Sequence, residues 1–77
     1  MRYTYNTINT LEKVADKIVS LNYDSVRKVP GSGIHSPPYL YSKIDLSLLK
    51  IPKGWRLEGN HIINTLTLIY LEVFKVN

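Results

Sequence analysis

Residues 9–21 read NTLEKVADKIVSL, and they carry the most regular hydrophobic pattern in the chain. Charged side chains occupy one side of the corresponding helix, and Asn9 stands three residues before Glu12, as in a capping box. The pattern predicts an amphipathic helix over about 10–21 that ends near Asn22. The apolar positions that follow the i, i+3, i+4, i+7 spacing of a single helix face are Ile8, Leu11, Val14, Ala15, Ile18 and Val19.

The segments on either side of this helix predict strands. Residues 23–29 alternate without a clean apolar side, which is typical of an edge strand, although a ragged continuation of the helix also fits. Residues 1–6 contain Tyr3 and Tyr5 in alternation, so we expect a short strand there as well.

Residues 39–49 alternate more clearly and predict a strand with one buried face. The inward side is read from the apolar residues Leu40, Ile44, Leu46 and Leu48. The outward side is read from Tyr39, Tyr41, Lys43, Asp45 and Ser47.

The C-terminal third predicts a hairpin and a long strand. Residues 55–58 face His61 across Gly59-Asn60, a pair suited to a two-residue turn because glycine supplies a positive φ. Residues 62–76 are rich in strand-forming side chains. We interpret them as one twisted strand, with a helix as the rival interpretation. The apolar side of that strand is read from Ile62, Leu66, Leu68, Tyr70, Phe74 and Val76.

These elements predict an α+β domain in which one N-terminal amphipathic helix packs on an antiparallel sheet of three to five strands. The chain of 77 residues fits a single domain, 1–77. A loop over 30–38 holds two of the four glycines and three of the four prolines, and both residue types interrupt regular structure.

The composition excludes several classes of site. There is no cysteine, so disulfides, thiol nucleophiles and Cys-ligated metals are excluded, and two histidines do not build a His-rich metal site. We therefore predict no metal and no cofactor. The chain lacks a signal-peptide core and any run of about 20 apolar residues, so we expect a soluble, cytoplasmic protein that does not enter a membrane.

The 30–38 loop raises the possibility of an anion or nucleic-acid site, because glycine N–H groups next to cations suit phosphate. It lacks the spacing of known phosphate loops, so an ordinary surface connection is the competing interpretation. The residues of this alternative site are Arg27, Lys28, Gly31, Ser32 and Gly33.

The order of helix, basic strand, Gly-Ser and histidine is similar to that of HicA-type mRNA-cleaving toxins over about twenty positions. The matching residues would be Arg27, Lys28, Gly31, Ser32 and His35. Three prolines and a longer spacing before the histidine depart from that pattern, and the second half of the chain has no counterpart in it. We do not assign the chain to that family, and a small nuclease dependent on His35 ranks third among the functional hypotheses.

A binding surface is the preferred interpretation. Residues 50–56 hold three of the ten cations and the single tryptophan, and Trp and Arg are enriched in interaction hot spots. Exposed tyrosines supply contact area at low entropy cost. The predicted partner-binding residues are Tyr39, Tyr41, Lys43, Lys50, Lys53, Trp55 and Arg56.

The resulting prediction is a small non-enzymatic module that binds and inhibits another protein. Ile, Asn, Lys and Tyr make up 27 of the 77 residues, a bias expected of AT-rich genes and common in phages and mobile elements. We therefore expect a host protein as the partner. The alternative is a basic nucleic-acid-binding domain, for which the net charge of +4 is modest. A homodimer is compatible with either.

Overall fold

The computed structural model describes residues 3–33 and 36–76 and contains one α-helix and one five-stranded sheet. Helix α1 (Tyr5–Asn22) leads through a short 3-10 turn (Tyr23–Ser25) into the first strand, and a second 3-10 turn spans Leu46–Leu48. The strands are β1 (Val26–Val29), β2 (Tyr39–Ser42), β3 (Trp55–Glu58), β4 (His61–Asn64) and β5 (Tyr70–Lys75). The predicted fold class, one N-terminal helix on a sheet of three to five strands, is confirmed.

The sheet has the order β1-β2-β5-β4-β3, and it is mixed and not purely antiparallel as predicted, because β5 lies beside β2 in the same direction. Three of its pairings are antiparallel, while β2 and β5 run parallel with Tyr39 opposite Glu72 and Tyr41 opposite Phe74. The last strand in the chain therefore lies in the middle of the sheet. It joins an N-terminal half made of α1, β1 and β2 to the hairpin of β3 and β4.

The core lies between α1 and the sheet face that it covers. Apolar side chains of the predicted helix stripe meet apolar side chains from four strands, and each such side chain contributes about 1.5–3 kcal/mol on full burial. The buried core residues of these elements are Leu11, Val14, Ala15 and Ile18 from the helix and Val26, Leu40, Ile62, Leu71 and Val73 from the sheet.

Helix α1 starts five residues before the predicted position. Thr4, in extended conformation, is the N-cap, and its Oγ1 accepts a hydrogen bond of 3.1 Å from the N–H of Thr7. The capping role predicted for Asn9 is therefore wrong, because Asn9 lies inside the helix. The predicted strand over 1–6 is wrong at Tyr5 and Asn6, which are helical, and its first two residues lie outside the described part of the chain.

The strand predicted for 39–49 covers only four of those eleven residues, Tyr39–Ser42. The hydroxyl of Ser42 donates to the C=O of Ile44 (2.7 Å) and accepts from its N–H (3.2 Å), which turns the backbone out of the sheet. Leu46 then enters a 3-10 turn, and Leu48, predicted to point inward, is 65% exposed. The segment predicted over 23–29 is a strand only from Val26, and its prediction as an edge strand is confirmed.

The C-terminal segment 62–76 is extended, as predicted, but it forms two strands and not one. Asn64 ends β4, because its Oδ1 accepts from the N–H groups of Leu66 and Thr67, both at 2.9 Å, and Leu68 has a φ of +64°. The loop shifts the alternation by one position. As a result Leu71, which the sequence pattern places outside, is fully buried, while Leu66, which it places inside, is 91% exposed.

The hairpin of β3 and β4 is confirmed at the predicted turn. Glu58 pairs with His61, and Gly59 has a φ of +58°. A side chain is strained in this conformation, so glycine is the residue that the turn requires.

A buried amide joins the end of α1 to the loop before β3. The side chain of Asn22 donates to the C=O groups of Ile18 (2.8 Å) and Lys50 (3.0 Å) and accepts from the Lys50 N–H (2.9 Å). We expect Asn22→Ala to lower the free energy of unfolding by about 1–3 kcal/mol, because two backbone groups of Lys50 lose their partner. Urea unfolding measures this, with the exposed Asn9→Ala as the control that changes stability by less than about 0.7 kcal/mol. Equal effects of the two substitutions would contradict the assignment.

The position of the loop between β4 and β5 is also testable by unfolding. We expect Leu71→Ala to destabilise the protein by about 2–5 kcal/mol, because it opens a cavity beneath the helix. Leu66→Ala, which the strand alternation alone would make equally costly, should stay within about 0.5 kcal/mol of wild type. A large loss of stability for Leu66→Ala would instead support a single long strand over 62–76.

Candidate interaction surface

The sheet has an open face, defined as the side away from α1. Paired residues in neighbouring strands point to the same side, so the register of the strands determines which side chains share this face. The open face carries Arg27 and Val29 from β1, Tyr39 and Tyr41 from β2, Tyr70, Glu72 and Phe74 from β5, His61 and Ile63 from β4, and Arg56 and Glu58 from β3.

Three rings form an aromatic triad on the open face: Tyr39, Tyr41 and Phe74. Their centroids are 5.6 Å (Tyr39 to Tyr41), 5.9 Å (Tyr39 to Phe74) and 6.1 Å (Tyr41 to Phe74) apart. Two of these contacts are edge-to-face, the arrangement that aromatic quadrupoles favour. Each ring is partly exposed, so the triad is a preassembled apolar surface that faces solvent.

The triad is bordered by a cation on the β1 side. The guanidinium carbon of Arg27 lies 5.5 Å from the ring centroid of Tyr41, within cation–π range. The stacked guanidinium keeps its N–H donors available for a carboxylate.

A second aromatic group lies at the opposite side of β5. The rings of His61 and Tyr70 stack at 4.2 Å with a tilt of 33°, and Tyr3 meets Tyr70 edge-on at 6.4 Å. Burial, followed by hydrogen bonding to Tyr70 and the nearby charges of Tyr70 and Glu72, raises the pKa of Tyr3 to about 12. Tyr3 is thus held against Tyr70 at the start of β5.

Glu72 lies between the two aromatic groups. It is opposite Tyr39 on one side and opposite His61 on the other, and its side chain is exposed. Over residues 3–33 and 36–76 it forms no ion pair, whereas Arg56 bonds to Glu58 on β3. The open face therefore combines aromatic rings with a central unpaired carboxylate.

The structure separates several of the predicted partner-binding residues. Tyr39, Tyr41 and Arg56 share the open face, but Trp55 points to the opposite side and packs against the core. Lys43, Lys50 and Lys53 lie exposed in the loops after β2 and before β3. Trp55 and Arg56 are neighbours in sequence and lie on opposite faces, because successive strand residues alternate.

The glycines of the 30–38 loop are placed for packing. A Cβ at Gly31 would collide with the backbone carbonyls of Ser36 and Pro37, so glycine is needed for this close approach. Carbonyl oxygens are acceptors and repel an anion, and the Gly33 C=O is itself bound by the Ser36 N–H at 3.1 Å. Ser32 and Gly33 are exposed, and His35 lies outside the described residues.

Lys28, part of the alternative anion site, is already paired. Its Nζ lies 2.9 Å from Glu12 and 2.8 Å from Asp16, which stand one helical turn apart on α1. Hydrogen bonds to Asp16 and then to Glu12 raise the pKa of Lys28. Its charge is therefore compensated, and it contributes little attraction for phosphate.

A groove, defined by its lining residues, lies at β1, extends past Tyr41 and Lys43 to Val76, and has a volume of about 660 Å³. Pockets of about 300–1,000 Å³ are typical of ligand sites. The groove is lined by Val19, Tyr23, Asp24, Val26, Arg27, Lys28, Tyr41, Lys43 and Val76. Arg27 and Tyr41 belong both to the groove and to the open face, so the two surfaces are continuous.

Comparisons with protein-family models, with curated proteins and with solved structures found no match to this chain. No helix among the described residues has the length and apolar character needed to cross a membrane. Within the same residues, no three His, Asp or Glu side chains are grouped so as to hold a metal ion.

The members of the open face that sequence reasoning missed include His61, Tyr70, Glu72 and Phe74. The alternation of Tyr70, Glu72 and Phe74 is visible in the sequence, and it would have placed them on one side of a short strand. Reading 62–76 as a single strand put Tyr70 and Phe74 on the buried side instead. The turn at Asn64, an Asx-type loop start, was the signal that could have separated the strands.

The environment of Tyr3 predicts a distinct alkaline titration. The folded pKa of about 12 lies above the ordinary value of 10.0, so the stability that Tyr3 contributes is present below pH 10 and is lost as the pH rises towards 12. Tyrosinate absorbance should show an ionisation step near pH 12, and Tyr3→Phe should remove that step. Tyr5→Phe, at a 75% exposed position, is the control that leaves the step in place. A Tyr3→Phe variant that keeps the step near pH 12 would contradict the contact with Tyr70.

Proposed function

We propose that this protein is a non-enzymatic binding module whose open face docks on a folded partner protein. The observation that carries the proposal is the aromatic triad beside Glu72, which forms no ion pair within residues 3–33 and 36–76. The partner surface that complements it is an apolar patch with one lysine or arginine positioned to reach Glu72.

The aromatic content of the open face supports a protein partner. Tyrosine and phenylalanine are enriched where proteins bind each other, because they bury a large area while losing few rotamers. The rings of the triad already contact one another in the unbound protein, so little ordering cost remains to be met on binding. Exposed apolar patches rimmed by polar residues are characteristic of interaction sites.

The charges of the open face support a protein over a nucleic acid. Arg27 and Arg56 are balanced by Glu58 and Glu72, and the carboxylate of Glu72 is central, where it would repel a phosphate backbone. The lysines that produce the net positive charge lie largely outside this face. The nucleic-acid alternative thus has suitable rings but, within the described residues, only Arg27 as a cation against the triad.

The composition supports a host protein as the partner. The AT-rich bias of the residue usage is common in phages and mobile elements, whose small proteins act on the cells that they enter. The finer proposal is therefore inhibition of a host protein by occupation of its surface.

The first experiment compares open-face variants with a control in affinity capture followed by binding of the purified partner. Tyr39→Ser combined with Phe74→Ser should weaken binding by about tenfold or more, since truncated aromatic hot spots cost about 2 kcal/mol or more. Leu66→Ser, at an exposed site outside the open face, should bind like wild type. Equal binding by all three proteins would refute the open face as the docking site.

The role of Glu72 is tested by charge reversal. Glu72→Lys should abolish binding, because two like charges would then meet at the centre of the interface. A complementary reversal of the partner's cation should restore it. If Glu72→Lys leaves the affinity unchanged, the stated partner chemistry is wrong.

A labelled single-stranded oligonucleotide at low salt tests the alternative function. We expect no binding. Binding that weakens linearly with the logarithm of the salt concentration, and that Tyr39→Ser with Phe74→Ser removes, would replace the protein partner by a nucleic acid.

A further inference from the structure

The outer edge of β1 offers unpaired backbone groups. The Lys43 N–H donates to the Ser25 C=O at 2.8 Å, so these two residues form a hydrogen-bonded pair. Because bonded and non-bonded pairs alternate in an antiparallel ladder, Arg27 and Val29 form the next bonded pairs with β2. The N–H and C=O groups of Val26 and Lys28 consequently point away from β2. Within the described residues they have no other backbone partner.

The groove includes residues 26–28 of this edge strand. It is lined by residues from both sides of the sheet: Val19 and Val26 lie on the side of α1, while Arg27 and Tyr41 lie on the open face. A depression that contacts an edge strand and both faces beside it offers room for an added strand.

We propose that the β1 edge binds an extended segment of the partner protein as a sixth strand. This inference deepens the proposed protein-binding function and rests on it. Main-chain hydrogen bonds to Val26 and Lys28 supply affinity, and the alternating side chains of the segment supply specificity.

The two sides of the groove define the chemistry of the segment. Side chains directed towards α1 meet Val19 and Val26 and are apolar. Side chains directed towards the open face meet Arg27 and Lys43 and are acidic, because over the described residues neither cation has a salt bridge to a carboxylate. The segment therefore alternates apolar and acidic residues.

The neighbouring residues of the groove are compatible with this segment. Lys28 points towards α1, where Glu12 and Asp16 neutralise it. Asp24 is the one acidic residue of the lining, and it precedes β1. Because its charge disfavours an acidic side chain beside it, the acidic residues of the bound segment lie opposite β1 itself. Tyr23 has a φ of +52°, a costly conformation for a residue other than glycine, and its ring is 79% exposed beside the groove.

A second copy of the chain is a poorer occupant of this edge. When β1 pairs antiparallel with β1 of a second copy, a two-fold axis relates the two strands and each residue stays on its own face of the sheet. In the register that pairs Val26 of one copy with Lys28 of the other, Arg27 lies directly opposite the Arg27 of the second copy. Like charges that face each other across two strands are destabilising.

The probe is a capped synthetic peptide with the core Val-Glu-Val-Glu-Val, titrated into the full protein and followed by amide hydrogen exchange. In the free protein the Val26 and Lys28 amides should exchange fast and the Arg27 amide slowly. Bound peptide should protect Val26 and Lys28 by about tenfold or more, as expected for new hydrogen bonds. Lack of protection at these two amides in the presence of excess peptide would overturn the proposal.

Variants test the charge complementarity. Arg27→Glu should lower the affinity for the acidic peptide by about tenfold and create affinity for a Val-Lys-Val-Lys-Val core. Lys13→Glu, at an exposed position of α1 outside the groove and the open face, makes the same change of charge and is the matched control that should bind like wild type. Equal losses for both variants would mean that the peptide responds to net charge and not to the β1 edge.

The remaining outcomes separate this inference from the proposed function. Protection of Val26 and Lys28 that rises with protein concentration, together with a dimer in light scattering, would make a second copy the occupant and refute the partner segment. If the peptide does not bind but binding of the partner depends on Tyr39 and Phe74, the edge site is refuted and the open face is retained as the docking site. If the peptide binds but the affinity for the partner does not change in the open-face variants, the proposed function of the open face is refuted instead.

Discussion

The insertion of β5 between β2 and β4 is the constraint on which the rest of the molecule depends. Two of its inward residues, Leu71 and Val73, are fully buried beneath α1 and complete the core. Its three outward residues build the open face, because Phe74 completes the aromatic triad and Glu72 separates the triad from His61 and Tyr70. Every other strand pairing is a connection between segments close in sequence, whereas the parallel pairing with β2 spans more than thirty residues. The open face therefore forms only once the longest-range strand pairing of the sheet has formed.

The sequence predicted the elements whose signals are local. The stripe from Leu11 to Ile18 marked the helix, and Gly59 marked the hairpin turn. The errors occurred where one polar side chain redirects the backbone: the hydroxyl of Ser42 ends β2, and the amide of Asn64 ends β4. Alternation counted through such a point acquires the wrong phase, since a shift of one residue moves every later side chain to the other face.

The same argument explains how much of the candidate site was predictable. Tyr39 and Tyr41 were placed outward correctly, because they precede the turn at Ser42. Phe74 and Tyr70 were placed inward, because they follow the loop at Asn64. Trp55 was assigned to the surface from its residue type and its basic neighbours, but the pairing of Trp55 with Asn64 places it on the side of the core. Side-chain chemistry identified candidate residues, and only the register showed which of them could act together.

The ion pairs of Lys28 connect the stability of the edge to its selectivity. An inward-pointing charge on an edge strand is one device by which proteins discourage unwanted strand pairing, because an incoming apolar strand cannot solvate it. In β1 this charge is held by Glu12 and Asp16, whose hydrogen bonds raise the pKa of Lys28 and keep it protonated throughout the physiological range. Arg27 remains as the cation that an approaching strand meets on the open face. In the proposed sixth-strand complex, an edge built in this way disfavours its own copy and purely apolar strands and favours a segment whose acidic side chains lie on that face.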